Sequence, residues 1–332
     1  MRRPLTARLL VTIACVGLGA VARAQSKTDP NAVAVWPVQR NVYMAVGPGG
    51  NAAVQIGDDG VLVVDSLVAG ASANLVAAIR GLSDKPIRWI VNTHSHPDHT
   101  GGNVAVAKAG RYISSGNTRG GDGASILTFE RALRRMGADA GPDVVPEQGR
   151  PTDSYFVRSK DLFFNGEAVQ VLHQPAAHTD GDSLVVFRHS DVVVAGDVFT
   201  PQRYPAIDID EGGTIDGLVA GLNHILELTV PAWNQEGGTM VIPGHGRLCD
   251  EADVSDYRDM VTIVRDRVRA LVTKGLTLAQ AQAAAPTFDY DGVYGTPDYS
   301  GDMFVAAVYR SLTASRSLTG SPAAPPSGGA PR

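Results

Sequence analysis

Four groups able to bind metal or carry protons fall within six residues: His94, His96, Asp98 and His99, in the run His94-Ser95-His96-Pro97-Asp98-His99. Imidazole nitrogens and carboxylate oxygens are the ligands a borderline ion such as zinc prefers, and a catalytic site keeps one position open for water. In extended backbone, residues two apart point the same way, so His94 and His96 can share one ion. Pro97 then turns the chain and lets Asp98 and His99 address a second. The chain holds eight histidines in 332 residues. Three of them crowded beside an aspartate set this run apart from a chance surface loop. His173, His189 and His224 lack such neighbours and read as core or surface residues.

Three further groups each stand in a turn beside an apolar run, with small residues around them. They are His178 in Ala177-His178-Thr179-Asp180-Gly181-Asp182-Ser183, Asp197 in Ala195-Gly196-Asp197-Val198-Phe199, and His245 in Pro243-Gly244-His245-Gly246. Loops of this kind converge at one end of a sheet, where active sites are built. Two ions held side by side would acidify a water and polarise the bond under attack. No Gly-x-Ser-x-Gly elbow and no cysteine placed as a nucleophile compete with that chemistry. Asp98 is the residue best placed to orient the water and shuttle its proton.

Short apolar runs must position these groups. Val42–Val46, Ala52–Ile56 and Val61–Asp65 read as three strands separated by Gly-rich and Asp-Gly turns, with Asp65 at the end of the third. Leu75, Val76, Ile79 and Leu82 recur at helical spacing before a buried strand over Ile87–Asn92, so the His-rich run begins where a strand ends. Gly101 and Gly102 leave room for backbone near the ions, ahead of a helix from about Asn103. Residues 117–150 read as a Gly-rich excursion around one amphipathic helix, Ser125–Met136. Strands resume at Ala168–His173, Ser183–Arg188, Asp191–Ala195 and Met240–Ile242, with a helix over Thr214–Leu228. The acidic stretch Tyr204–Gly213, with Asp208, Asp210 and Glu211, reads either as a solvated loop capping that helix or as part of the pocket wall, its three acids selecting a cationic or hydroxyl-bearing substrate. Beyond Asp250 the spacing of Tyr257, Met260, Val261, Val264, Val268 and Leu271 predicts helix.

In order along the chain, the HxHxDH run, the TDGDS turn, the AGDVF turn and the PGHG turn resemble the motifs of the metallo-β-lactamase superfamily, from about Asn41 to His245. The resemblance implies an α+β fold, a four-layer αββα sandwich with a C-terminal helical extension, and two zinc ions between the sheet edges. It implies that His94, His96 and His178 hold the first ion, that Asp98, His99 and His245 hold the second, and that Asp197 bridges them. Asp65 would support the ligands from behind. The activity implied is zinc-dependent hydrolysis of a small cyclic amide or ester, β-lactamase-like. Alternatives are a lactonase, a glyoxalase II-like thioesterase or another esterase, then an iron-dependent persulfide dioxygenase or a metal-binding protein without turnover. The chain departs from the best-known β-lactamases, which have Arg at the position of His99 and Cys at that of Asp197. Arg247 is the nearest cation to the last motif.

Composition bounds location and partners. With 44% hydrophobic and 19% charged residues the chain is an ordinary globular one. A net charge of -5 with no long Lys/Arg run argues against nucleic acid and for a small-molecule substrate. Arg2, Arg3 and Arg8, an apolar run from Leu9 to Val21 and Ala22-Arg23-Ala24 predict a cleavable signal peptide over 1–24, hence a periplasmic or secreted protein without a stable membrane anchor. Cys15 would leave with it, so Cys249 would have no partner for an internal disulfide. The remaining divisions expected are a metallo-β-lactamase-like domain over 25–250, a helical extension packed on it over 251–318, and a disordered tail over 319–332.

Overall fold

The computed structural model describes residues 29–112 and 123–319; the expected leader, residues 117–122 of the excursion and nearly all of the expected tail lie outside the described residues. A first sheet contains β1 (Ala34–Gln39), β2 (Val42–Gly47), β3 (Gly50–Gly57), β4 (Gly60–Val64), β5 (Ile87–Val91), β6 (Ser125–Phe129) and β7 (Asp153–Tyr155), in that spatial order. β1 to β4 form an antiparallel meander, and β4 to β7 run parallel. A second sheet contains β8 (Ser159–Phe164), β9 (Glu167–Gln174), β10 (Asp182–Phe187), β11 (Val192–Gly196) and β12 (Met240–Pro243), running in reverse from β12 to β8. Its one parallel pair is β11 with β12.

Alternation along each strand sends side chains to two faces, and both faces of both sheets are buried. Val42, Met44, Leu62 and Val64 meet Val169, Val171, Val185, Phe187 and Ile242 between the sheets. Val54, Val63, Ile87 and Ile90, on the other face of the first sheet, lie under α1 (Ser72–Leu82) and, beyond the single turn α2 (Pro97–Thr100), α3 (Asn103–Lys108). α4 (Glu130–Met136) follows β6. Leu184, Val186, Val193 and Val241 of the second sheet pack into one core with α5 (Ile215–Leu228) and α6 (Glu251–Thr273). After α7 (Leu278–Ala283) and α8 (Asp291–Tyr294), α9 (Gly301–Thr319) joins the same core through Phe304, Val305 and Val308. The layers are helix, sheet, sheet, helix, an αββα sandwich. Asp250 and Asp253 form a capping box that starts α6 directly after β12. Among the described residues no helix is long and apolar enough to cross a membrane.

The excursion departs from its expected form. Ser125–Phe129 is not the first half of a helix but β6, buried at all five positions inside the first sheet, and the helix begins only at Glu130. A strand with both faces covered shows no two-residue alternation, so Ile126, Leu127 and Phe129 mimic helical spacing. β1, β7 and β8 also went unassigned. β1 is a partly exposed edge strand containing Pro37, which suits an edge.

Candidate metal centre

Every expected ligand stands where a strand ends. His94, His96, Asp98 and His99 follow β5, Asp197 follows β11, His245 follows β12, and His178 lies in the turn from β9 to β10. Backbone bonds staple the two sheets here: Asn51 N–H donates to Gly244 O at 2.9 Å, and Ser183 N–H donates to Thr93 O at 2.8 Å. Ligand atoms of His94, His96 and His178 lie within 4.8 Å of one another, as do those of Asp98, His99 and His245, and those of His94, His99 and Asp197. Asp197 faces both groups. Its Oδ1 lies 3.2 Å from His99 Nε2 and 3.4 Å from His245 Nε2, and its Oδ2 lies 3.9 Å from His178 Nε2. All seven side chains meet at one place.

Hydrogen bonds decide which nitrogen each imidazole turns to the centre. His178 Nδ1–H donates to Ala206 O at 3.0 Å, leaving a lone pair on Nε2, which faces His96 Nδ1 at 3.1 Å. Asp65 Oδ2 accepts from His99 Nδ1–H at 2.8 Å and from the Thr93 hydroxyl at 2.7 Å, while its Oδ1 accepts Thr93 N–H at 2.8 Å. With its proton committed to Asp65, Thr93 Oγ1 can only accept from His94 Nδ1–H, at 3.1 Å. Asp65 therefore sets the Nε2 lone pair of both His94 and His99, one in each group. Its own backbone is left-handed at φ 61°, a conformation that costs a non-glycine residue about 1–2 kcal/mol.

The donors fit a pair of divalent cations. His94 Nε2, His99 Nε2 and Asp197 Oδ1 are buried without a hydrogen-bond partner among the described residues, and each such atom costs about 1–3 kcal/mol unless something satisfies it. Close packing fixes them: a Cβ on Gly244 would strike Asp197 Oδ1, and one on Gly213 would strike His178 O. Gly101 and Gly102 work differently from expectation. They press against the backbone of Ala69 and Ser66 rather than making room at the ligands.

The loop 204–213 is more than a cap. Thr214 does cap α5, accepting from Gly217 N–H at 2.9 Å. Asp208 and Glu211, however, bring carboxylate oxygens to 3.5 and 3.7 Å from His96 Nε2, so they back a ligand. Arg135 ties Glu211 (3.2 Å) to Asp180 (2.6 Å). Burial and the neighbouring Asp143 push the Glu211 carboxyl up to about 7. Asp143, within the excursion, carried no sequence signal. His173 stacks on Phe129 with ring centroids 3.6 Å apart and, like His189 and His224, stands outside the ligand groups.

Electrostatics divide the imidazoles. Burial, reinforced by His99, holds His94 well below its usual pKa. Burial opposes charge on His99 as well, yet Asp65 and Asp197 outweigh it and hold His99 well above the usual value. His245 is pushed up to about 9, with burial overcome by the neighbouring Asp197 and Asp98 carboxylates. Burial would raise the Asp197 carboxyl, but His99 and His245 hold it well below the carboxylate range. Without metal, His245 thus holds a proton at pH 7, and an entering cation must displace it. Calorimetric zinc titrations at pH 7 in buffers of different ionisation enthalpy are expected to report that release, with affinity climbing as pH rises toward about 9. Binding without proton release would contradict the assignment.

Two cavities meet at His245. A polar one of about 310 Å³ is lined by His96, Asp98, His178, Asp197 and His245, together with Thr200, Arg203, Asp208 and Tyr299. An apolar cleft of about 730 Å³ is lined by Trp36, Met44, Val46 and Leu248. Arg247, the cation expected nearest the site, is clamped by Asp253 at 2.8 and 2.5 Å and does not line the polar cavity. Arg203 does, and its place six residues after Asp197 is the one signal of this in the sequence. Tyr299 arrives from just before α9 and had none.

Residues 45–245 match the model of the metallo-beta-lactamase superfamily. A linear primary-alkylsulfatase from a Pseudomonas species is 28% identical over 257 residues, covering 66% of this chain and 46% of that protein. The solved stereoselective inverting sec-alkylsulfatase Pisa1 from Pseudomonas sp. superposes with a TM-score of 0.61 at 18% identity, over 85% of this chain and 50% of that one. A metallo-beta-lactamase from Pontibacter korlensis superposes with a TM-score of 0.54 at 14% identity, over 69% of this chain and 99% of that one. The chain spans about half the length of the alkylsulfatases it matches. Structural likeness at such identities speaks for the fold alone. With its four layers, its strand-end ligands and a family match over more than half its length, the chain belongs to the metallo-β-lactamase superfamily.

Proposed function

We propose that the protein is a hydrolase that works with two divalent ions, zinc by the chemistry of the donor set, on a small ester or cyclic amide. The observation that carries this reading is the convergence of seven ligand side chains, three of whose ligand atoms are buried and unbonded. Nitrogen and carboxylate donors together suit zinc. Bound ions would supply a water acidic enough to attack near neutral pH and a Lewis acid to polarise the scissile group. The protein's own groups orient that chemistry. Asp98 faces the polar cavity with its Oδ2 3.3 Å from His245 Nε2. Burial would raise its carboxyl, yet hydrogen bonding to His245 and the charge of His99 hold it low, so it stays ionised. It therefore acts as an acceptor that aligns the attacking water and relays a proton only in passing. Asp208 and Glu211 hold His96 from behind, and Asp65 holds His94 and His99.

A second reading, hydrolysis of an alkyl sulfate ester, is favoured by the alkylsulfatase match and by the apolar cleft at His245, which suits a hydrocarbon chain. Metal analysis and one substrate panel test both: a chromogenic cephalosporin, a lactone, a thioester and a primary alkyl sulfate. Zinc-dependent turnover of at least one is expected. His96→Ala should lose bound zinc and more than about a hundredfold of the rate, beyond the 10–100-fold typical of groups behind a ligand. Zinc-replete protein inert on the whole panel, or a fully active, zinc-replete His96→Ala, would overturn the assignment.

A further inference from the structure

The arginines near the centre differ in how far the protein uses their donors. Arg247 spends two on Asp253. Arg135 gives Nη2 to Asp180 at 2.6 Å and to Glu211 O at 2.9 Å, and Nε to the Glu211 carboxylate at 3.2 Å, with its buried Nη1 left without a hydrogen-bond partner among the described residues, but it does not line the polar cavity. Arg203 has a single ion pair, 3.5 Å from Asp298, a carboxylate 74% exposed. Its Nε is buried with no hydrogen-bond partner among the described residues. The guanidinium instead lies 5.6 Å over the ring of Tyr299. Both residues line the polar cavity with His96, Asp98, Asp197 and His245, and Arg203 is the one Lys or Arg among its lining residues.

The surroundings hold the backbone of this arginine and the ring beneath it in place. Tyr257 of α6 donates its hydroxyl to Arg203 O at 3.1 Å, and Tyr299 donates its own to Pro205 O at 3.3 Å. An arginine fork is planar and stacks on aromatic faces, and its paired N–H groups match the oxygen pairs of carboxylate and sulfate. A partly desolvated cation with unused donors lacks a partner.

We propose that Arg203, stacked on Tyr299, recognises an oxyanion of the substrate, a carboxylate or a sulfate, next to the bond cut at the metal pair. This deepens the hydrolase reading and rests on it. The helical C-terminal segment thereby supplies one wall of the specificity site.

The test titrates zinc-loaded protein with two inert probes, succinate and propanesulfonate. In parallel it compares kcat/KM for two matched aryl esters, one neutral and one bearing a carboxylate. Arg203→Met should weaken at least one probe about ten- to hundredfold, the loss expected for a charged hydrogen bond. The anionic-to-neutral kcat/KM ratio should fall by a similar factor, through KM more than kcat, with bound zinc retained. The probe that loses more separates carboxylate from sulfate oxygens. Asp298→Asn, at an exposed position, removes the competing acid and should tighten probe binding a few-fold. Wild-type protein that binds neither probe, an Arg203→Met protein with zinc bound and unchanged probe affinity, or weaker binding in Asp298→Asn would overturn the proposal. The probe titration needs no turnover, so it decides the anion site even if every ester proves inert.

Discussion

Asp197→Asn is expected to lower metal content below two ions per chain and to reduce hydrolysis more than about a hundredfold, the largest loss from any single substitution. The reason is geometric. One carboxylate oxygen addresses His99 and His245 while the other turns toward His178. Asparagine keeps the volume, so the fold tolerates it, but it swaps one anionic oxygen for an NH2 that presents hydrogens where a lone pair is required. The side chain cannot swing aside, because Gly244 packs directly on Oδ1. Loss of a group behind a ligand typically costs 10–100-fold, and loss of the ligand that spans both groups must exceed that. Metal content and kcat/KM measured on one preparation check the expectation. Two bound ions and an undiminished rate would remove Asp197 from the bridging position.

Asp65→Ala should carry a double signature. Asp65 is 1% exposed and accepts three hydrogen bonds, from Thr93 N–H, the Thr93 hydroxyl and His99 Nδ1–H. Removing it strands those donors in the interior and frees both His94 and His99 to present the wrong nitrogen. Breaking a buried pair of this kind costs about 3–5 kcal/mol of stability, and metal affinity should drop about 10–100-fold. Thr93→Val separates the two effects, since it cuts the link to His94 and leaves the bond to His99. The losses from the two substitutions should be less than additive when combined, because both act through one network. Denaturant titration with and without zinc measures each part. Unchanged zinc affinity in Asp65→Ala would show that the Thr93 relay does not set the ligand nitrogens.

Much of the centre was legible because each ligand lies in a short turn beside an apolar run. The spacing of His94, His96 and His99 marks itself, and Gly-Asp and Gly-His turns mark Asp197 and His245 once a metal is suspected. Asp65 was legible as a strand-end acid, but its reach to His94 through Thr93 was not, because that depends on which way one hydroxyl proton points. β6 misled because a strand buried on both faces loses its alternation. Asp143, Arg203 and Tyr299 left no pattern: loops and the C-terminal helices bring them to the cavity, and no local periodicity encodes that arrival. The glycines taught a similar lesson. Gly101 and Gly102 stand beside the His-rich run, but Gly49, Gly50, Gly213 and Gly244 press on ligand residues.

The placement of ligands at the ends of β5, β9, β11 and β12 also bears on the order of events as the chain acquires its native shape. The donors stretch from residue 94 to residue 245, so neither triad exists until strands distant in sequence have paired. Long-range pairing of this kind is slow and must be complete before its contacts reward it. A cation meeting the unfolded chain would find in the His94–His99 run only part of each group. This is unlike a zinc finger, where the ion drives folding. On this geometry the sandwich would form before the centre is loaded, and any bound cation would then add to its stability by mass action.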